Sequence, residues 1–106
     1  MAQNQIIIQI PVTESTDFDV LLHIEETLFK AFPKSDFAVV EGHEFGDGRF
    51  NIFIDPKSAW EPVVEHAKAA LDLRGVLGEA LIATRAAPGG RPVVVWPEGH
   101  AEDFRL

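Results

Sequence analysis

The chain has no cysteine among its 106 residues. That excludes disulfides, thiolate zinc sites and cysteine nucleophiles together. It is also short of positive charge: nine Lys and Arg stand against 17 Asp and Glu, a formal net charge of −8. Nucleic-acid and anionic-membrane binding rest on basic patches that this balance does not supply, so neither partner is expected. No apolar run approaches the roughly 18–20 residues that span a bilayer. The opening Met-Ala-Gln-Asn-Gln lacks the basic stretch and apolar centre of a signal peptide, and the expected location is cytoplasmic. Nucleophile elbow, phosphate-binding glycine loop and dinucleotide fingerprint are missing too, because Gly46-x-Gly48 lacks the further glycine and the following helix. No cofactor and no metal are expected.

What remains is ordinary globular composition, and residues 1–106 are read as a single domain with its own core. Gln5 to Val12 alternates, with Ile6, Ile8, Ile10 and Val12 on one side and Gln5, Ile7, Gln9 and Pro11 on the other, which predicts a half-buried strand. Thr16 is the expected N-cap of a first helix whose stripe is Phe18, Leu21, Leu22, Leu28, Phe29 and Phe32, with Glu25 set inside it; Pro33 ends it. Ser58 to Glu61 matches a capping box for a second helix, with Trp60, Val63, Val64, Ala67, Ala70 and Leu71 inward and Gly75 past its end. Strands are expected over Glu79–Ala87 and Arg91–Trp96, separated by a turn at Pro88-Gly89-Gly90. A polar tail follows, in which Phe104 and Leu106 could fold back near Trp96.

Between the helices lies the densest polar cluster. Gly46-Asp47-Gly48 is turn chemistry linking two β-rich runs, a hairpin signal. In the second run Phe50, Ile52 and Ile54 share one face and Asn51, Phe53 and Asp55 the other. Gly42 interrupting the first strand marks a β-bulge or a close backbone approach. Counted by plain alternation, Glu41 and His43 share a side and Glu44 takes the other. Glu41, His43, Glu44, Asp47, Arg49 and Asn51 form the candidate binding set. His43, Glu41 and Glu25 are the candidates for acid–base work. A metal at the hairpin tip through His43, Glu44 and Asp47 ranks last, because the spacing matches no zinc or calcium loop.

The block Glu41-Gly-His-Glu-Phe-Gly-Asp-Gly-Arg-Phe-Asn-Ile-Phe-Ile54, followed by a helix and a strand ending in Val95-Trp96-Pro97, resembles a pattern in small uncharacterised bacterial proteins. That pattern is Gly-His-acid-x-Gly-x-Gly and then Asn-Ile-Phe. The resemblance covers about half the chain. It implies a ferredoxin-like fold and brings no established activity or catalytic residue.

The element order agrees: β-α-β-β-α-β plus one extra strand, an α+β, ferredoxin-like sandwich with two helices on one face of an antiparallel sheet. The other face, with Ile7, Phe53 and Trp96, is more apolar than solvent requires and is expected to pair two copies into a homodimer. From Glu14 to Glu26 there are five acidic residues and no Lys or Arg, which reads as a solvated helix face or as a docking surface for a basic protein partner. The favoured function is a non-catalytic, inhibitor- or immunity-like protein-binding module. The alternative is a dimeric α/β-barrel-type small-molecule-binding protein or enzyme using His43 and Glu41.

Overall fold

Alternating isoleucines place the first strand at the middle of a sheet. In the computed structural model, which describes residues 4–14, 16–32, 37–57, 59–86 and 90–99, β1 (Asn4–Pro11) is followed by α1 (Phe18–Ala31). Two hairpin strands come next, β2 (Ala38–Gly46) and β3 (Arg49–Pro56), and then α2 (Trp60–Leu73). A 3₁₀ turn at Leu77–Glu79 leads into β4 (Leu81–Ala86) and β5 (Val93–Trp96). The strands make one five-stranded antiparallel sheet in the order β2-β3-β1-β4-β5. The fold is α+β. No helix among the described residues is long and apolar enough to cross a membrane.

Register follows the pleat. Ile8 stands between Ile52 of β3 and Ile82 of β4, so one face of the three central strands is mostly aliphatic, with Phe50 beside Ile10 and the buried Thr84 beside Ile6. Ile6, Ile8, Ile10, Phe50, Ile52, Ile54 and Ile82 join Leu21, Ile24 and Leu28 of α1 and Val63, Ala67 and Leu71 of α2 in one buried cluster. Each of these side chains larger than Ala67 contributes on the order of 1.5–3 kcal/mol by leaving water. The alternation expected for β1 and β3 is observed in the register, but β1 is buried on both sides rather than half-buried, since Ile7 and Gln9 are covered as well as Ile6, Ile8 and Ile10.

Local signals hold at several ends. Gly46 and Arg49 pair across a two-residue Asp47-Gly48 turn whose φ angles are 52° and 72°. This is the double left-handed geometry that matches hairpin twist. Helix α2 ends with Arg74 as C-cap, Gly75 at φ 74°, and Gly75 and Val76 amides donating to the Asp72 and Leu71 carbonyls at 2.9 and 3.1 Å. The glycine accepts a conformation that a Cβ would oppose.

Other expectations are corrected. The N-cap of α1 is Asp17, whose carboxylate accepts from the Val20 amide at 3.0 Å, and not Thr16. Thr16 is buried, and its hydroxyl is spent on the loop, donating to the Pro11 carbonyl at 2.8 Å and accepting from the Thr13 amide at 3.1 Å. On α1, Ile24 joins Leu21 and Leu28 in the core, whereas Phe18, Leu22 and Phe29 are exposed. At 100° per residue Phe18, Leu22, Glu25 and Phe29 fall on the flank of the stripe rather than at its centre. The N-cap of α2 is Ala59; Ser58, on which the capping box relied, lies outside the described residues, as do Pro88, Gly89, Phe104 and Leu106. Strand β4 begins at Leu81, two residues later than expected, because Leu77–Glu79 turns first.

Replacing Asp17 by Ala should therefore lower unfolding free energy by about 1 kcal/mol in urea melts, with Asp17→Asn largely retaining it. A neutral Asp17→Ala would contradict this capping assignment.

Candidate functional site

Strand β2 is an edge strand with a fault in it. Val40 faces Ile54, yet Gly42 faces Phe53, so Glu41 and Gly42 together occupy one partner position. Gly42 has φ +151° at this bulge. Beyond an extra residue every side chain changes face. His43 thus falls opposite Ile52 and Phe45 opposite Phe50, on the side of the helices, while Glu44 falls opposite Asn51 on the other side.

The bulge decides which candidates meet. His43 does not share a face with Glu41. It meets Glu25 of α1, whose two carboxylate oxygens lie 3.0 and 2.9 Å from His43 Nδ1. The Nδ1–H donates to that carboxylate, which in the neutral ring leaves Nε2 as the acceptor nitrogen. The pair is partly covered, with 33 % and 18 % of the two side chains accessible. Aromatic rings surround it. Phe50 is 4.9 Å from the imidazole by centroids and Phe18 is 6.3 Å away; Phe18 in turn meets Phe45 edge-on at 5.9 Å. Glu25 is therefore neither a solvated edge residue nor an isolated buried acid: it sits on the flank of α1 with its charge answered by a histidine. One residue on, the exposed Glu26 is held below the usual carboxylate range by the hydrogen bond and charge of Lys30, 3.1 Å away.

The other candidates scatter. Glu41 accepts from Gln5 Nε2 at 3.1 Å, and Gln5 Oε1 accepts from Arg85 Nε at 2.6 Å, a chain on the face away from the helices. Asn51 is buried on that face and accepts from Gln9 Nε2 at 2.9 Å. Asp47 is in the turn, and Arg49 stands opposite Gly46 and Pro11 at the hairpin end. Among the described residues no group of three His, Asp or Glu is placed to hold a metal ion.

The face expected to be open and apolar differs from the expectation. Ile7 and Ala83 are fully buried within the single chain, and Phe53 is half-buried with the Arg85 guanidinium 6.0 Å from its ring. Trp96 is not on that face. It packs against the core on the helix side, donates from Nε1 to the Leu77 carbonyl at 3.4 Å and carries Lys68 Nζ 4.3 Å from its ring centroid. The apolar exposure lies elsewhere, in a row of which the sequence pattern predicts Phe18 and Phe29 in the core. Phe18, Phe45 and Phe29 are 46 %, 55 % and 64 % accessible. At the Phe29 end a cleft of about 120 Å³ is lined by Phe29, Phe32, Ala38, Val39 and Val40. The available signal was the bulge glycine: carrying its face change through β2 turns Phe45 toward the flank of α1.

A partly exposed ion pair contributes little to stability. Glu25→Ala and His43→Ala in a double-mutant cycle should give a coupling of about 0.2–1 kcal/mol by urea unfolding. A coupling of several kcal/mol would mean a desolvated pair that the exposures do not describe.

Compared with known proteins, the chain matches no family model and no curated protein.

Proposed function

We propose that the protein is a non-catalytic binding module for a basic protein partner, inhibitor- or immunity-like in manner, acting in the cytoplasm. The observation that carries this reading is the exposed aromatic row along α1 and β2 in a chain of net charge −8. Exposed apolar patches rimmed by charge mark interaction sites, and charge complementarity steers encounter with the partner. The fold we read as ferredoxin-like with one added edge strand. Support comes from the order β4-β1-β3-β2 within the sheet and from one helix after β1 and one after β3.

The enzyme reading through His43 and Glu41 is weakened by their separation onto opposite faces. The His43–Glu25 pair holds an imidazole as a base would be held, but its ring packs against Phe18 and Phe50. The homodimer reading loses part of its apolar surface, since Ile7 is already buried and Trp96 lies on the helix side.

Affinity capture with the intact chain should retain a basic protein at about 0.05 M salt and release it at about 0.5 M, because screening lengths fall from more than 10 Å to a few Å over that range. Light scattering on the isolated chain should give a monomer at both salts. Capture that salt leaves unchanged, or a dimer stable at high salt, would count against the proposal and favour pairing of two copies.

A further inference from the structure

We infer that the cleft between the flank of α1 and the outer side of β2 receives a cationic peptide segment carrying an aliphatic or aromatic anchor. The inference rests on the binding-module reading and names where and what that module binds.

The flank residues of α1 recur at i, i+4, i+7 and i+11: Phe18, Leu22, Glu25 and Phe29. That spacing keeps them on one side of the helix for about three turns. Helix and strand run alongside each other. Phe18 meets Phe45 near one end, Glu25 meets His43 in the middle, and Phe29 and Phe32 line the cleft with Ala38–Val40 at the other end. The result is a continuous apolar strip with one ion pair in it and one cleft, of a size for a single side chain. Large apolar side chains filling such a pocket dominate peptide recognition, while the surrounding contacts exclude water.

Charge selects the occupant. From Glu14 through Phe29 every fixed charge is negative, and the same is true from Ala38 through Gly48. These two stretches form the two sides of the strip. A segment with Lys or Arg beside its anchor would place those cations near Glu25 and over the exposed rings of Phe18 and Phe45, where cation–π attraction adds to the Coulomb term. An acidic segment, or a second copy of this chain presenting the same strip, would meet like charge.

The test is a titration of the intact ¹⁵N-labelled chain with a capped peptide alternating Lys or Arg with Leu and Phe. Three control peptides accompany it: basic residues changed to Gln, basic residues changed to Glu, and apolar residues changed to Ser. Amide shifts should cluster in residues 18–29 and 38–47, and each control should bind at least about tenfold more weakly, a loss of about 1.4 kcal/mol. Phe29→Ser and Phe45→Ser together should produce a similar loss in a chain whose thermal unfolding is otherwise intact, because both side chains are largely exposed; Val93→Ser, exposed on the far edge strand, should leave binding unchanged. Shifts centred on Gln5, Phe53 and Arg85 would overturn the site while leaving a binding module in place. Equal binding of the Glu peptide, or no saturable shift with any peptide, would overturn the inference itself. The broader reading then stands or falls on its own salt-dependent capture.

Discussion

One inserted residue in β2 arranges the candidate surface. Strand pairing with β3 is regular from Ala38 to Val40 and again from Gly42 to Gly46, but the two halves are out of phase by one residue. Because a strand alternates faces, that slip exchanges the environments of everything after it. His43 and Phe45 turn to the helix side, where Glu25 and Phe18 meet them; Glu44 turns away. Without the slip, His43 would sit opposite Asn51 on the same face as Glu41, and the acid–base pairing anticipated from alternation would have had its geometry. The bulge therefore removes one site and builds another from the same residues.

Edge strands carry a hazard that this one handles in a recognisable way. An unpaired strand edge is a template for other strands, and natural proteins blunt it with bulges and charge. β2 has both, the bulge at Gly42 and the acidic side chains Glu41 and Glu44. These devices resist pairing with another acidic edge. The segment from Ala38 to Val40 is different: it is regular, apolar and backed by Phe29 and Phe32. Negative charge and irregularity thus lie at one end of the edge, and an apolar cleft at the other.

Much of the architecture was legible because it rests on periodicity. Ile6, Ile8 and Ile10, the Phe50-Ile52-Ile54 face, the inward stripe of α2 and its Gly75 terminus were all read correctly, since each needs only a local rule and a core to face. The errors share a cause as well. Phe18, Leu22 and Phe29 were read inward because they are apolar, but a helix has room for only one buried stripe, and Ile24 completes it with Leu21 and Leu28. Thr16 and Asp17 are both good caps; which of them caps was settled by the Pro11 carbonyl, a partner that adjacency in sequence does not reveal. Glu25 was singled out, yet its partner lies 18 residues away across the bulge, a relation that required the slip to be counted through.

The polar chain on the opposite face limits what that face can do. Gln9 and Asn51 are buried against each other, and Glu41 of β2, Gln5 of β1 and Arg85 of β4 are linked over the intervening β3, a span of four strands. Buried amides on a sheet are stable only while bonded, because an unpaired one costs about 1–3 kcal/mol. Such a ladder commits the sheet to the observed register, since sliding β1 against β3 would part Gln9 from Asn51 as well as misplace the isoleucines behind them. The face away from the helices thus secures pairing, while the flank of α1 and the edge of β2, with Leu73 and Val93 apart from them, carry large apolar groups that meet solvent without being needed to hold the fold.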